Sequence, residues 1–221
     1  MTRRRRTPTS PPVSARPRAA DDRPAGRRTL RLGFVTGATP DKWARAWRER
    51  RRDRLELVPL GEAEQETALR SGEVDMCLVR LPVDRDGLHL IPLYDERQVA
   101  VMGHEHVLTL LDELTLADLA EEQLVIPHRS GWTPQVEQLA WPPMSEKDAV
   151  ETVAAGTGVA LMPMSVARLH HRKDAAYRVV TDLEPTRVGL AWLVERPGDD
   201  EELVQAFVGV VRGRTANSSR G

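Results

Sequence analysis

Strand and helix patterns alternate through the first part of the chain, and this alternation constrains the fold more than any other feature. Three segments with the apolar pattern of strands, alternating in the first and nearly continuous in the third, are separated by two segments whose apolar residues recur at helical spacing. The strands are predicted at 29–35, 55–60 and 74–80 and the helices at 40–52 and 62–71. Such alternation is typical of a parallel sheet that helices cover on both faces, so we predict an α/β unit here.

The pattern continues beyond residue 87 and predicts a second α/β unit. Strands are predicted at 88–93, 97–102, 123–127, 159–162, 177–180 and 188–194, and helices from Thr115, from Ser145, from Ser165 and over 201–211. Strand 188–194 is expected to cross between the units or to lie at a sheet centre, and the last helix is expected to return to the first unit. We therefore predict lobe I at about 29–96 plus 195–212 and lobe II at about 97–194. Open α/β sheets bind ligands beyond the carboxyl ends of their strands, so two such lobes would enclose a binding cleft.

Hydroxyl side chains mark several predicted helix starts. Thr39, Ser145 and Ser165 each precede a helical pattern, where a hydroxyl oxygen can accept a hydrogen bond from a free backbone N–H group. Pro40 suits the first helical position because its missing N–H costs nothing there. Thr115, with Asp118 three residues later, is predicted to open a short helix.

The stretch VAAGTGVALMP has the glycine spacing of a phosphate-binding loop but the wrong order of elements. A dinucleotide loop needs a strand, then glycines, then a helix N-terminus. Here a helix is predicted to end at Gly156, and a strand follows Gly158. Backbone carbonyls would therefore face the turn, so we predict a helix-to-strand turn and no nucleotide; no other cofactor is predicted.

Arginine is concentrated in residues 1–28, which hold nine arginines against two aspartates in a chain whose net charge is -1. This Pro- and Arg-rich segment has few large apolar residues, so we predict a disordered basic tail, and a flexible tail at 213–221. The N-terminal tail is either a solvated arm or an over-long start, or else it binds nucleic acid in a salt-sensitive way. The absence of stacking aromatic residues favours the first interpretation.

The chain has one cysteine, Cys77, within an apolar run, so it can form no internal disulfide. Its apolar runs are far shorter than the roughly 20 residues that a membrane helix needs. The basic N-terminus is not followed by the apolar segment of a signal peptide. We therefore predict a cytoplasmic protein with no membrane segment.

Six pieces in a fixed order carry a family resemblance: TLRLGFVTGATPDKWARAWRER, LELVPL, LRSGEVDMCLVRLPVDRDGLHLIPLYDERQVAVMGHEHVL, LTLADLAEEQLVIP, VETVAAGTGVALMPMSVAR and FVGVVR. Together, over about 29–212, they resemble the effector-binding (substrate-binding) domain of LysR-type transcriptional regulators. The resemblance implies a type 2 periplasmic-binding-protein-like α/β fold, with two Rossmann-like lobes joined by crossing strands. It also implies a small organic effector, often a carboxylate, between the lobes, and a homodimer that pairs a helix and a strand of each lobe.

The sequence departs from the family in two places. A full regulator begins with a winged helix-turn-helix and a linker helix, whereas 28 residues without helical periodicity precede the resemblance here. We therefore expect no direct sequence-specific DNA binding, and an output through a partner, such as a full-length regulator. Residues 128–144 are shorter and richer in Pro and Trp than the helix that the family places there, which puts the lobe II side of the cleft in doubt.

The turn after the first strand is the best candidate ligand site. Thr36, Gly37 and Thr39 bring hydroxyl groups and free backbone N–H groups to a helix N-terminus, which attracts anions. The resemblance points to the same turn. Helix capping alone would also explain Thr39.

Three further residues are candidates for ligand contact. Arg80 ends the third strand, from which its guanidinium could hold a carboxylate in a bidentate pair. Alternatively, Arg80 forms a salt bridge to Asp84, Asp86 or Asp95. Ser130 and Trp132 follow the predicted strand 123–127 and could face the ligand from lobe II, or they could be ordinary loop residues.

Neither a metal site nor a catalytic site is predicted. The pairs His104 and His106, and His170 and His171, lack the spacing of a ligand set, which favours surface histidines. Ser130 lacks the frame of a nucleophile, and Cys77 is expected to be buried and inert. Some enzymes share the two-lobed fold, so turnover of a cleft-bound compound is kept as a third hypothesis, after ligand sensing and tail-mediated nucleic-acid binding.

Overall fold

The computed structural model describes residues 28–195 and 198–213. The predictions for the tails 1–28 and 213–221 therefore lie almost wholly outside the described residues. The strands of the described part are β1 (Thr29–Val35), β2 (Arg54–Leu60), β3 (Met76–Arg80), β4 (Leu88–Glu96), β5 (Gln98–Gly103), β6 (Glu113–Leu114), β7 (Ala160–Pro163), β8 (Ala175–Val180) and β9 (Thr186–Leu193). The helices are α1 (Asp41–Arg50), α2 (Gln65–Arg70), α3 (Glu146–Ala154), α4 (Met164–Leu169) and α5 (Gly198–Val211).

The first sheet has the strand order β2-β1-β3-β9-β4. β1 pairs in parallel with β2 and β3, as the alternating sequence pattern predicts, whereas β9 runs antiparallel to β3 and to β4. β3 is buried along its whole length, which matches its nearly continuous apolar run. The carboxyl ends of β1, β2 and β3 therefore lie at one edge of this sheet, where they meet the second lobe.

The second sheet has the order β6-β8-β5-β7. β5 runs antiparallel to both β7 and β8, and β6 pairs in parallel with β8. The chain crosses from the first sheet to the second at Arg97 and returns between β8 and β9. Two lobes joined by two crossing segments result, in agreement with the fold that the sequence predicts.

The core of lobe I shows why the last helix returns to it. Trp47 of α1 and Phe207 of α5 are fully buried, and their ring centroids lie 5.7 Å apart. Leu30 and Leu32 of β1 belong to the same apolar cluster. The Trp47 indole N–H donates to the Asp53 carbonyl at 2.9 Å, so its one polar group is satisfied.

The boundary between the lobes differs from the sequence prediction. The sequence predicts lobe II at about 97–194, whereas β9 pairs with β3 and β4 in the first sheet. This correction agrees with the expectation of a sheet-centre strand. Its residues from Val188 to Trp192 are all buried, because α5 packs on one face of the sheet and α2 on the other.

Two of the three predicted caps are wrong. α1 begins at Asp41 with Pro40 as its N-cap residue, so Thr39 lies one position too early and makes no cap hydrogen bond. The Met164 amide donates to the Arg97 carbonyl at 2.9 Å, and α4 begins at Met164. Ser165 therefore lies inside the first turn and cannot cap it.

The Ser145 cap and the Thr115 prediction have different outcomes. The Ser145 hydroxyl accepts from the Asp148 amide at 3.2 Å, which confirms the cap, and Gly156 follows α3 with φ +83°. Thr115 does donate to the Asp118 carboxylate at 2.7 Å, from its amide and from its hydroxyl. However, residues 116–120 form hydrogen-bonded turns and no helix.

The strand predicted at 123–127 is reduced to one parallel bridge, between Leu124 and Val159. The Leu124 amide donates to the Gln138 side chain instead of to a neighbouring strand, at 2.7 Å. Pro127 has no N–H group with which to continue a ladder. Residues 128–144 are irregular, as predicted.

Candidate functional site

The two lobes touch at Gly37, directly after β1. Gly37 has φ +86°, and a Cβ atom there would lie 2.6 Å from the Ser165 hydroxyl oxygen and 3.0 Å from the Val166 amide nitrogen. Both the backbone conformation and the space exclude other side chains. The turn after β1 is thus packed against the first turn of α4.

A cavity of about 570 Å³ lies beside this contact. Thr36, Gly37 and Thr39 line it together, as the sequence predicts for a shared site, and Ser165 and Arg168 of lobe II close the other side. The Ser165 hydroxyl is buried without a hydrogen-bond partner. Whether this cavity binds a ligand stays a prediction.

Arg80 is held inside a buried network, with 2% of its side chain exposed. Its Nε and Nη2 atoms donate to one oxygen of Glu96, at 3.0 and 2.9 Å, and its Nη1 atom donates to Glu62 at 3.1 Å. Nη2 also donates to the Thr36 carbonyl at 3.0 Å. Each guanidinium nitrogen therefore has a protein acceptor, and Arg80 fixes the Thr36 turn to the end of β3.

The alternative salt bridges considered for Arg80 do not form. Asp84 pairs with Arg70 at 3.3 Å, and Asp95 pairs with Arg187 at 2.7 Å. Direct contact between Arg80 and a ligand stays a prediction. In the structure, Arg80 orients other groups at the cleft and is not itself open to it.

Glu62 links Arg80 to the second lobe. Its Oε2 atom accepts from Arg80, and its Oε1 atom lies 2.6 Å from Nη2 of Arg129. Glu62 and Arg129 were both missed by the sequence analysis. A signal was present, because Glu62 follows the end of β2 and Arg129 adjoins Ser130, but nothing in the sequence pairs the two.

Ser130 and Trp132 line a different cavity, of about 830 Å³. Its walls come from both lobes: lobe I contributes 81–83, Arg85 and Leu90, and lobe II contributes Leu116, 128–132 and 182–185. Arg129 also lines an adjoining cavity of about 380 Å³, together with Glu62, Glu146 and Met162. The sequence-predicted residues are thus divided between two cavities, with the Arg80 network between them.

A hydrogen-bonded relay orients Ser130 at the junction of the lobes. The Gln98 amide nitrogen donates to the Thr186 hydroxyl at 2.6 Å. The atom of Gln98 that lies 3.2 Å from Nε2 of His128 is therefore its oxygen, which can only accept. Nε2 must then carry the proton, so Nδ1 accepts from the Ser130 hydroxyl at 2.8 Å. Gln98 begins β5 and Thr186 begins β9, so the relay spans both crossing segments.

The histidine of the relay is held neutral. Burial lowers the pKa of His128, and the nearby positive charge of Arg129 lowers it further. The Ser130 oxygen also accepts from the Trp132 amide at 3.2 Å. Ser130 therefore shapes the loop that carries Trp132, while its contact with a ligand stays a prediction.

In the described part of the chain, no three His, Cys, Asp or Glu side chains are grouped so that they could hold a metal ion. Burial raises the pKa of the Cys77 thiol to about 12, which leaves it protonated and unreactive. Within the described ranges, none of the helices combines the length and the apolar character needed to span a bilayer.

Two α/β lobes, two crossing segments and cavities between the lobes define a type 2 periplasmic-binding-protein-like fold. A sequence model described as the LysR substrate binding domain matches residues 24–216, so the chain belongs to that family, as the resemblance implied.

Two transcriptional regulators are similar to the chain over most of its length. AlsR of Bacillus subtilis is 24% identical over 213 residues, covering 87% of this chain and 69% of AlsR. CatR of Pseudomonas putida is 31% identical over 198 residues, covering 81% of this chain and 66% of CatR. The chain spans about two thirds of the length of each.

Among solved structures, the BenM effector binding domain with its effector benzoate is similar in fold. It has a TM-score of 0.67 and 20% identity, covering 84% of this chain and 91% of that domain. At this identity the likeness shows the fold alone.

Proposed function

We propose that the protein senses a small carboxylate, which binds between the lobes in the cavity beside Trp132. One observation carries the proposal: a cavity of about 830 Å³ takes its walls from both lobes, and Trp132, Arg85 and Arg129 are among the residues that line it. Such a volume is within the range of small-molecule sites.

The lining of this cavity suits an aromatic or otherwise apolar acid. Leu81, Leu90 and Leu183 provide apolar surface, and Trp132 provides a ring against which a flat ligand can stack. A guanidinium group can hold a carboxylate in a bidentate pair. Arg85 is exposed and has no ion-pair partner among the described residues, so it adds a second cation to the lining. That the related BenM domain has benzoate as its effector supports this choice.

Binding between the lobes provides a way to signal. A ligand that contacts both lobes favours the arrangement in which both sets of contacts form, and so shifts the population of states. The output would pass through a second copy in a homodimer and through a partner regulator, in the cytoplasm. We assign no catalytic step to the protein.

A thermal-shift screen tests this function, because a ligand that binds only the folded state raises the melting temperature. Small aromatic and aliphatic acids, benzoate first, are compared with their uncharged amides. We expect the acids to raise the melting temperature and the amides to leave it unchanged. Trp132→Ala and Arg129→Gln should lose the shift, whereas Arg168→Gln and Thr36→Val, in the other cavity, should retain it. If no acid shifts the parent protein, the carboxylate assignment is wrong.

A further inference from the structure

Glu62 places a carboxylate between two arginines where the lobes meet. Each of its oxygens faces a different arginine: Oε2 lies 3.1 Å from Nη1 of Arg80, and Oε1 lies 2.6 Å from Nη2 of Arg129. About a third of the Glu62 and Arg129 side chains is exposed, at 33% and 29%. The contact is thus at the edge of the cleft and within reach of a dissolved molecule.

The charges show which pairing can be exchanged. Glu96, Arg80, Glu62 and Arg129 form a chain of contacts in which negative and positive charges alternate. Arg80 is already matched by Glu96, which accepts two hydrogen bonds from it and is 6% exposed. Among the described residues, Glu62 provides the one carboxylate within 4.0 Å of Arg129. Arg129 can therefore change its partner while Arg80 keeps both of its own.

The local fold does not depend on this contact. Glu62 begins the short 3-10 turn Glu62–Glu64 before α2, and the carboxylate of Glu64, not that of Glu62, accepts from the Gly61 amide at 2.9 Å. Gln65 then joins this turn to the backbone of Arg80 with two hydrogen bonds, at 2.8 and 3.0 Å. A Glu62→Gln protein should keep the turn and lose only the charge.

We propose that Glu62 is an internal competitor that lowers the affinity of the cleft for carboxylates, and that the effector's carboxylate replaces it on Arg129. This proposal rests on the proposed function in one respect, that the effector is an acid bound near Arg129. Glu62 belongs to lobe I and Arg129 to lobe II. Their ion pair joins the lobes in the free protein, and the effector takes over that link when it binds.

The affinity of the cleft for acids follows from this competition. A neutral ligand does not displace Glu62 from Arg129, so its affinity does not depend on the internal ion pair. An acid exchanges one carboxylate for another, so its affinity reflects the difference between two similar interactions. Removing the internal carboxylate should therefore strengthen the binding of acids specifically.

Calorimetric titration of benzoate and of benzamide tests the proposal on the parent protein, Glu62→Gln, Arg129→Gln and the double variant. Glu66→Gln is the matched control, since Glu66 lies in the adjoining α2 and has no partner among the described residues. We expect Glu62→Gln to tighten benzoate by about tenfold, as for one charge-assisted contact. Benzamide and the Glu66→Gln control should show no change, and Arg129→Gln should abolish the gain in the double variant.

The outcomes separate this proposal from the proposed function. If benzoate binds the parent and Glu62→Gln with equal affinity, the competition is overturned, whereas the proposed carboxylate-sensing function still stands. Benzoate that binds Glu62→Gln but not the parent supports the competition even though the parent screen fails with that acid. If Glu62→Gln melts like the parent and binds no benzoate, the competition is overturned.

Discussion

Arg80 donates to a single oxygen of Glu96 from both Nε and Nη2, at 3.0 and 2.9 Å, and both side chains are buried. Arg80 ends β3, and Glu96 ends β4 immediately before the chain crosses to lobe II. This ion pair therefore fixes the end of the central strand to the start of a crossing segment. The same pair begins the chain of alternating charges that continues through Glu62 to Arg129.

Breaking this buried pair should destabilise the protein strongly. Arg80→Met leaves Glu96 buried without a cation, so we expect the free energy of unfolding to fall by about 3–5 kcal/mol. Urea denaturation followed by circular dichroism measures this change. Arg187→Gln removes the exposed pair with Asp95 and serves as the control, for which little change is expected. If Arg80→Met and Arg187→Gln lower the free energy of unfolding equally, the buried Arg80 network contributes no more to stability than an exposed ion pair.

Gly37 should tolerate no side chain. Gly37→Ala combines a positive φ with a Cβ atom 2.6 Å from the Ser165 oxygen. Gly87→Ala is the control, because Gly87 has φ +66° with no atom within 4 Å of the added Cβ. We expect the control to cost roughly 1–2 kcal/mol for the backbone alone. Gly37→Ala should cost about 1–3 kcal/mol more, because its neighbours must move. Equal melting temperatures for the two variants would contradict the close contact between the lobes.

The two serines predicted as caps should respond in opposite ways. Ser145→Ala removes a hydrogen bond to the Asp148 amide and should lower stability by about 1 kcal/mol. Ser165→Ala removes a buried hydroxyl that has no partner, so stability should be unchanged or slightly higher. Thermal denaturation of both variants checks the pair, and a loss on Ser165→Ala as large as that on Ser145→Ala would contradict the structure.

The two serines also show what the sequence can predict. Ser145 is followed by Asp148, and both groups lie within one turn, so a local pattern was enough. The start of α4 is determined by the Arg97 carbonyl, which binds the Met164 amide from a distant part of the chain. No local pattern contains that information.

The same distinction applies to the sheets and to the site. The strand-helix alternation correctly predicts β1, β2 and β3, because each strand carries its own local pattern of apolar residues, although β3 alone of the three is buried along its whole length. The insertion of β9 between β3 and β4 depends on pairing between remote segments, and it moved the predicted lobe boundary. Likewise, the sequence places Arg80 at a strand end but cannot show that Glu96 and Glu62 occupy its donors.

His128 should make stability depend on pH. Its pKa is lowered in the folded protein from the ordinary value of 6.5, so below that pH the unfolded chain binds more protons than the folded one. The stabilising contribution of the neutral ring is therefore complete above about pH 6.5 and is lost as the pH falls towards the folded pKa. Urea denaturation from pH 7.5 to 5 should show a steeper loss for the parent than for His128→Asn. Parallel losses of stability with falling pH in the parent and in His128→Asn would exclude this role. His170→Asn is the control.

Hydrogen exchange with and without the most stabilising acid of the screen tests the central claim most directly. The cavity beside Trp132 is lined by segments of both lobes and of the crossing strand, namely 81–85, 128–132 and 182–187. A ligand bound there should slow amide exchange in all three segments together and leave 36–41 and 165–169, at the other cavity, unchanged. Protection confined to one lobe, or to 36–41 and 165–169, would contradict the account.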